Sequence, residues 1–231
     1  ALVLLEKNKN YSNREAYQKV TFYRGLELYT DGNYQEALSF FKKSIAEPRD
    51  AKFVARATFW KAETEFVTSN FQEALLSFKQ FESNANAKET PEYKNLNYNL
   101  GYAYFKLKDY TKSAEHFQKH LDTKSGDTTR NNDSYLRLAD SYFVSGKYWP
   151  AMENYNKAID NKGADLDYAS YQKAISYGFV ERPEKKIEEL VSFVSKFPKS
   201  KYHDDAMFEL GNSYTNSNKP NDAIAIYDRL I

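Results

Sequence analysis

Two of the three histidines have the spacing of a possible metal site. His116 and His120 are four positions apart, so on a helix they would stand one turn apart and could grip one metal ion. The segment HFQKH lacks the glutamate of a zinc-protease helix, however, and no third ligand is obvious in the sequence. We therefore expect packing or surface roles for these histidines, and we predict no metal and no cofactor.

Other residue types that could do chemistry do not form a catalytic pattern. The sequence contains no cysteine, which excludes disulfides, thiolate metal sites and a cysteine nucleophile. It has neither a glycine-rich phosphate loop nor the elbow that carries a nucleophilic serine. Asp204 and Asp205 open a predicted helix, where carboxylates favour the helix dipole, so we do not interpret them as acid catalysts. The chain is therefore predicted not to be an enzyme.

Charge and hydropathy argue against two further classes of partner. The formal net charge is +1, from 33 basic and 32 acidic residues spread along the chain. A nearly neutral chain of this kind has no strong positive field to attract the phosphate backbone of a nucleic acid. The longest apolar run, Ala1 to Leu5, is far shorter than a membrane span. We expect no nucleic-acid partner and no direct membrane insertion by this segment.

A repeated pattern of small and large residues runs along the chain. Segments such as NYQEALSFF (33–41), NFQEALLSF (70–78) and DYTKSAEHF (109–117) place a small residue four positions before a large aromatic one. Twelve residues before each such position comes another small residue. Small residues at matched heights let two helices approach closely, so the pattern predicts tandem two-helix units. The positions that lie four residues before the large residue are 35 to 39 residues apart. They are Ala37, Ala74, Ser113, Ala151, Lys186 and Ala223.

Glycine and proline fit the same frame. Gly32 and Gly146 fall in predicted turns, while Pro150, Pro183 and Pro220 lie at the starts of second helices, where a missing N–H costs little. The sequence therefore predicts one array over 1–231. Its predicted parts are the second helix of a partial repeat (1–13), repeats one to five (18–50, 55–87, 94–126, 132–163 and 167–200) and a truncated repeat six (204–231). Both ends fall inside second helices, so we expect a piece of a longer array.

The segments LGYAYFKLKDYTKSAEHFQKHL (100–121) and LADSYFVSGKYWPAMENYNKAI (138–159) resemble the tetratricopeptide repeat, and the resemblance extends over essentially the whole chain. It implies an all-α fold, a right-handed superhelical solenoid of tandem antiparallel helix pairs. Three positions depart from the family pattern. Glu65 stands where a packing aromatic is usual, and Lys186 and Leu190 stand where alanine and an aromatic are usual.

The resemblance also implies a concave groove, lined by the first helices of successive repeats, that binds peptides or protein segments. Aromatic residues at helical spacing are often core residues, so we expect many single rings to pack structurally even if the groove as a whole binds a partner. The lysines and asparagines that clamp a terminal carboxylate in chaperone-binding members are absent from these positions in repeats one to four, so no such clamp is expected. The positions are Phe22, Leu26, Tyr29, Phe59, Glu63, Phe66, Tyr98, Tyr102, Phe105, Leu136, Asp140, Phe143, Tyr171, Ile175, Phe179, Phe208, Asn212 and Asn216.

Three functions are compatible with such an array. The leading hypothesis is a non-catalytic scaffold that binds a peptide or protein segment in the aromatic-rich groove. A second is a regulatory or substrate-recruiting region of a larger enzyme whose catalytic domain lies outside this chain. RNA binding is a third, and the variable period and the acidic Glu63 and Asp140 argue against it.

The setting of the protein is a separate expectation. The junction KFPKSKYHDDAMFELGNSY (196–214) resembles repeat junctions of bacterial envelope proteins. We therefore expect the periplasm or cell envelope of a Gram-negative bacterium rather than the cytoplasm. The sequence leaves the oligomeric state open.

Overall fold

A computed structural model describes residues 5, 7, 11–124, 126–163 and 165–230. Within these ranges the chain forms α-helices and two short 3₁₀ helices, and no strand, which confirms the predicted all-α fold of tandem helix pairs. The α-helices are α1 (Tyr11–Thr30), α2 (Tyr34–Ile45), α3 (Ala51–Val67), α4 (Phe71–Glu82), α5 (Leu96–Lys106), α6 (Tyr110–Asp122), α7 (Thr128–Val144), α8 (Tyr148–Asp160), α9 (Leu166–Phe179), α10 (Pro183–Lys196), α11 (His203–Asn216) and α12 (Pro220–Leu230).

The chain divides into two compact units, residues 1–116 and 117–231, with the limit inside α6. In unit 1, α1 packs on α2 and α3 on α4, while α4 also contacts α5. The first helices α1 and α3 of successive pairs touch each other as well. In unit 2, the pairs are α7 with α8, α9 with α10 and α11 with α12, and each pair packs on the next along the chain. Among the described helices, none combines the length and the apolar character that a membrane crossing requires.

The predicted small residues lie where two helices of a pair come closest. A Cβ atom added to Gly25 would stand 2.6 Å from the ring of Phe41, and one added to Gly211 would stand 2.4 Å from the ring of Tyr227. In the third pair, the Ser113 hydroxyl donates a hydrogen bond to the Gly101 carbonyl at 3.0 Å. The small residue therefore makes room for the large aromatic residue of the partner helix.

Each first helix ends in the same turn. A residue with positive φ follows the helix, and the next N–H donates to the carbonyl five residues back, which closes the helix end. The positive-φ residues recur with the period of the repeat: Gly32, Ser69, Lys108, Gly146, Glu181 and Asn218. The sequence predicts this turn at the two glycines. Of the other four residues, Asn218 is of a type that often adopts positive φ, whereas Ser69, Lys108 and Glu181 carry no comparable signal.

The side chains buried between these helices form the cores of the two units. In unit 1, Phe41 and Leu28 fill the first pair, and Phe78, Phe81 and Leu100 fill the space between the later helices. In unit 2, the buried side chains include Leu136 and Tyr155 between α7 and α8, and Leu190 and Phe193 on α10. Leu190 thus fills the position where the family usually has an aromatic residue.

Two departures from the repeat pattern are accommodated by ion pairs. Glu65 is buried, and it accepts a hydrogen bond from Ser77 at 2.6 Å while it pairs with Lys61 at 2.7 Å. Lys186, at the position where the family usually has alanine, is half-buried and reaches Glu209 of the following pair at 2.6 Å. The polar side chains therefore remain partnered inside the helix stack.

The predicted repeat limits remain a proposal. Helix α1 begins at Tyr11, inside the segment 1–13 that the sequence assigns to an earlier second helix. Residues 1–4, 6 and 8–10 of that segment lie outside the described residues, as does Ile231 at the other end.

Candidate functional site

The first helices of unit 1, α1, α3 and α5, carry the predicted aromatic positions, but two of those residues are core residues. Phe22 has no exposed surface, and its ring centroid lies 5.2 Å from that of Phe53. Phe59 is 2% exposed, with its ring 5.6 Å from Phe78 and 5.2 Å from Phe81. Because these two rings are buried, they cannot contact a ligand, and they form part of the core beneath the surface of the first helices.

A pocket of about 260 Å³ brings together four of the predicted groove residues. Helix α3 supplies Glu63 and Phe66, and helix α5 supplies Tyr98 and Tyr102. The Tyr98 and Tyr102 rings meet edge to face at 5.1 Å, and Phe66 meets Tyr102 in the same manner at 6.3 Å. Edge-to-face packing fixes each ring in a different plane, so the pocket has aromatic walls on more than one side.

Two further residues line this pocket that the sequence did not single out. The side-chain amide of Asn99 donates a hydrogen bond to the Glu63 carboxylate, which orients that group. Val67, the last residue of α3, is 40% exposed at the edge of the pocket. Val67 stands four positions after Glu63, which is the helical spacing that could have indicated it.

Tyr29 extends the same surface to helix α1. Its ring lies edge to face with Trp60 at 5.2 Å, and Trp60 lies three positions before Glu63 on α3. Burial, and then the nearby negative charge of Glu63, raise the pKa of Tyr29 to about 12. We use the name aromatic surface for Tyr29, Trp60, Glu63, Phe66, Val67, Tyr98, Asn99 and Tyr102.

Phe105, the last aromatic groove position in unit 1, does not line the pocket. Its ring is half-buried against Tyr110 at 5.4 Å, where α5 turns into α6. Leu26, on α1, is also half-buried and packs against the core of the first pair.

In unit 2 the predicted groove residue Asp140 belongs to a buried network. It is 5% exposed and accepts hydrogen bonds from the hydroxyls of Tyr155 at 2.8 Å and Tyr168 at 2.7 Å. Arg137 pairs with its second oxygen at 2.6 Å. Burial raises the pKa of Asp140 even though Arg137 and both tyrosines oppose the shift. The network places Asp140 in a structural role, joining α7, α8 and α9.

The other groove positions of unit 2 form two aromatic clusters. Phe143 meets Tyr148 and Phe179 edge to face, and Phe179 is 55% exposed. Tyr171 stacks on Tyr202 at 5.4 Å, and burial raises the pKa of Tyr171 to about 12, with the carboxylates of α11 adding to the shift. Of the remaining positions, Leu136 is buried, Phe208 and Asn216 are exposed, and Ile175 and Asn212 are half-buried.

The two histidines on α6 differ in their surroundings. His116 stacks on Tyr104 at 5.3 Å and shares a hydrogen bond with Asn97 at 3.0 Å. His120 is buried, and burial together with the positive charge of Arg130 lowers its pKa. In the part of the chain that the structure describes, no group of three or more potential metal ligands occurs.

Comparison with known proteins gives matches to a sequence family and to solved structures. Tetratricopeptide-repeat models match residues 69–128 and residues 205–231. No curated protein sequence matches the chain.

Similar solved structures include MamA, with a TM-score of 0.65 at 19% identity over 79% of this chain and 93% of that one. YrrB, a TPR protein with an unusual peptide-binding site, has a TM-score of 0.65 at 19% identity over 78% and 86%. The apo form of RapI has a TM-score of 0.73 at 16% identity over 98% and 66%. At these identities the structural similarities establish the fold alone. Residues 69–128 and 205–231 thus match the tetratricopeptide repeat in sequence, and the recurring helix pairs have the fold of tetratricopeptide-repeat proteins.

Proposed function

We propose that the protein is a non-catalytic interaction scaffold that binds an extended segment of another protein on the aromatic surface. The observation that carries this proposal is the pocket between α3 and α5, which the packed rings of Phe66, Tyr98 and Tyr102 line together with Glu63. Half-buried tyrosine and phenylalanine rings give a large contact area at a low cost in side-chain entropy, and they are typical anchors of protein interfaces.

The continuity of the surface supports an extended ligand. Tyr29 and Trp60 pack together at 5.2 Å, and Trp60 belongs to the same helix as Glu63 and Phe66. A segment that crosses α1, α3 and α5 would therefore meet a ring on each helix. YrrB, which has a similar fold, is a TPR protein with a peptide-binding site, and this likeness favours the same class of ligand here.

Affinity capture with the whole protein tests the proposal. We expect Tyr98→Ala combined with Tyr102→Ala to reduce recovery of the partner at least tenfold, because both walls of the pocket on α5 are removed. The matched control is Phe143→Ala combined with Phe179→Ala, which removes another edge-to-face pair, at 5.5 Å, from unit 2. With helicity of both variants equal to that of the wild type, unchanged recovery by the first variant would exclude the aromatic surface as the binding site.

A further inference from the structure

We infer that Glu92, in the connection between α4 and α5, positions the Trp60 ring on the aromatic surface and so sets the geometry that a ligand meets. This inference rests on the proposed function, because it identifies a residue outside the surface that prepares the surface for binding. Thirteen residues, 83–95, form this connection, whereas five residues join α2 to α3. The longer segment contains two 3₁₀ helices, Ala87–Glu89 and Tyr93–Asn95, and Glu92 lies between them.

The connection is packed against unit 1 and tied to helix α3. Ala87 is fully buried in the core, and Thr90 is 6% exposed. An ion pair at 2.6 Å joins Lys52, near the start of α3, to Glu89. Glu92 itself is 6% exposed, and a buried carboxylate needs polar partners that offset its loss of hydration. The role of Glu92 therefore follows from the partners that it holds.

The Glu92 carboxylate bridges two side chains of α3. Its Oε1 atom accepts hydrogen bonds from Nε of Arg56 at 2.9 Å and from the indole N–H of Trp60 at 3.1 Å. Its Oε2 atom lies 3.2 Å from the same Arg56 nitrogen. The guanidinium is also held by rings, since it lies 4.6 Å from the centre of the Phe22 ring and 5.5 Å from that of Phe53. The core of the first pair thus fixes the acceptor to which Trp60 donates.

The hydrogen bond to Glu92 orients the ring that joins α1 to α3 on the aromatic surface. The indole N–H is the only polar group of a tryptophan side chain, and it points to Glu92. Edge-to-face contacts with Tyr29 at 5.2 Å and with Phe59 at 6.0 Å hold the rest of the Trp60 ring. An aromatic anchor that is fixed before the ligand arrives loses less conformational entropy on binding. Loss of the Glu92 carboxylate should therefore weaken binding through the orientation of Trp60.

Indole N–H resonances test the positioning directly, because the chain contains two tryptophans, Trp60 and Trp149. The whole protein is labelled with ¹⁵N at the indole nitrogens, Trp60→Phe assigns the two resonances, and Trp149, which is exposed in unit 2, serves as the reference. In Glu92→Ala we expect the Trp60 resonance to move and its hydrogen exchange with water to become about tenfold faster, while Trp149 stays unchanged. The matched control is Glu89→Ala, which removes an exposed ion pair of the same segment and should leave both resonances in place.

Recovery of the partner by affinity capture tests whether the positioning affects binding. We expect Glu92→Ala to reduce recovery about fivefold, and Glu89→Ala to leave it unchanged. Glu92→Gln keeps an acceptor for the indole N–H, so it should restore most of the Trp60 resonance position and most of the recovery. Because Glu92 acts through Trp60, adding Glu92→Ala to Trp60→Phe should cause no further loss of partner.

Two results would overturn the inference. One is an unchanged Trp60 resonance in Glu92→Ala, and the other is an equal loss of partner when Glu92→Ala is made in the wild type and in Trp60→Phe. Glu92→Asp keeps the charge beside Arg56 but shortens the side chain by one methylene group, and it gives the same measurement where Glu92→Ala lowers helicity.

Failure of the proposed function gives a different result. Unchanged recovery by Tyr98→Ala combined with Tyr102→Ala would reject the aromatic surface itself. Loss of recovery by that double variant, together with full recovery by Glu92→Ala, would retain the scaffold and reject the role of Glu92.

Discussion

At the scale of single residues, two acidic side chains at helix-packing positions are held by polar partners. Glu65 in unit 1 and Asp140 in unit 2 are both buried. Glu65 is paired with Lys61 and accepts from one hydroxyl, and Asp140 is paired with Arg137 and accepts from two. A buried carboxylate is tolerated only when such partners offset its loss of hydration. The partners of Asp140 come from three helices, so its network also fixes how those helices pack.

We predict that Asp140→Ala lowers the free energy of unfolding by about 3 kcal/mol, because it leaves the Tyr155 and Tyr168 hydroxyls and the Arg137 guanidinium without the acceptor they share. The matched control is Asp133→Ala, since Asp133 contacts the same guanidinium at 3.5 Å from a more exposed position. The control should cost less than about 1 kcal/mol. Urea unfolding followed by circular dichroism measures both, and equal losses would contradict the assigned role of Asp140.

The second residue-scale prediction concerns the tyrosine at the edge of the aromatic surface. The pKa of Tyr29, about 12, lies above the ordinary value because burial and Glu63 disfavour the phenolate. The folded pKa exceeds the unfolded one, so the contribution of Tyr29 to stability is complete below about pH 10 and is lost as the pH rises towards the folded pKa.

NMR of ¹³Cζ-labelled tyrosine, with Tyr29→Phe to assign the resonance, measures this pKa directly. We expect Glu63→Gln to lower the pKa of Tyr29, while burial keeps it above the ordinary value. An unchanged pKa in Glu63→Gln would show that the carboxylate does not act on α1, and it would remove one argument for a continuous surface.

At the scale of the helices, the structure adds a recurring turn that the sequence only partly indicates. Gly32 and Gly146 stand at positive φ in two of the six turns, where the sequence predicts turns. Ser69, Lys108, Glu181 and Asn218 adopt the same conformation without the glycine signal. The backbone hydrogen bonds that close each helix outweigh the preference for negative φ, which is weaker for asparagine than for the other three residue types.

We predict that Ser69→Gly raises the free energy of unfolding by about 1 kcal/mol, because glycine adopts positive φ without the steric cost of a Cβ atom. The reverse change, Gly32→Ala, should lower it by about 1 kcal/mol. A Cβ atom at Gly32 meets no atom within 4 Å, so the second effect reports backbone conformation alone. Thermal or urea unfolding checks the pair, and a neutral Ser69→Gly would contradict the assigned turn.

For the whole molecule, the period of small and large residues was sufficient to predict the helix pairs, because close helix packing requires those sizes at those positions. Gly25 against Phe41 and Gly211 against Tyr227 show the requirement directly. The candidate site was less predictable. A shift of one position turns a side chain by about 100° around a helix. Phe59 is consequently a core residue, whereas Trp60, next to it, belongs to the aromatic surface.

The sequence also did not predict which polar side chains pair with the acidic residues at the groove positions. Asn99 lies 36 residues from Glu63, and its hydrogen bond to the carboxylate depends on the contact between two helix pairs. Asp140 stands at a family groove position, but its network with Arg137 and two tyrosines is a property of the packed helices. The polar contacts of the site therefore depend on how successive helix pairs pack, and the sequence of a single repeat does not predict them.

Photo-crosslinking from two matched positions tests the central claim, that the aromatic surface of unit 1 binds the partner. Val67 and Val144 are both exposed and both end the first helix of a pair, so p-benzoylphenylalanine can replace each in the same local setting. We predict a crosslinked partner from position 67 that disappears on Tyr98→Ala combined with Tyr102→Ala, and none from position 144. Crosslinks from position 144 alone, or crosslinks from position 67 that persist in the double variant, would contradict the claim.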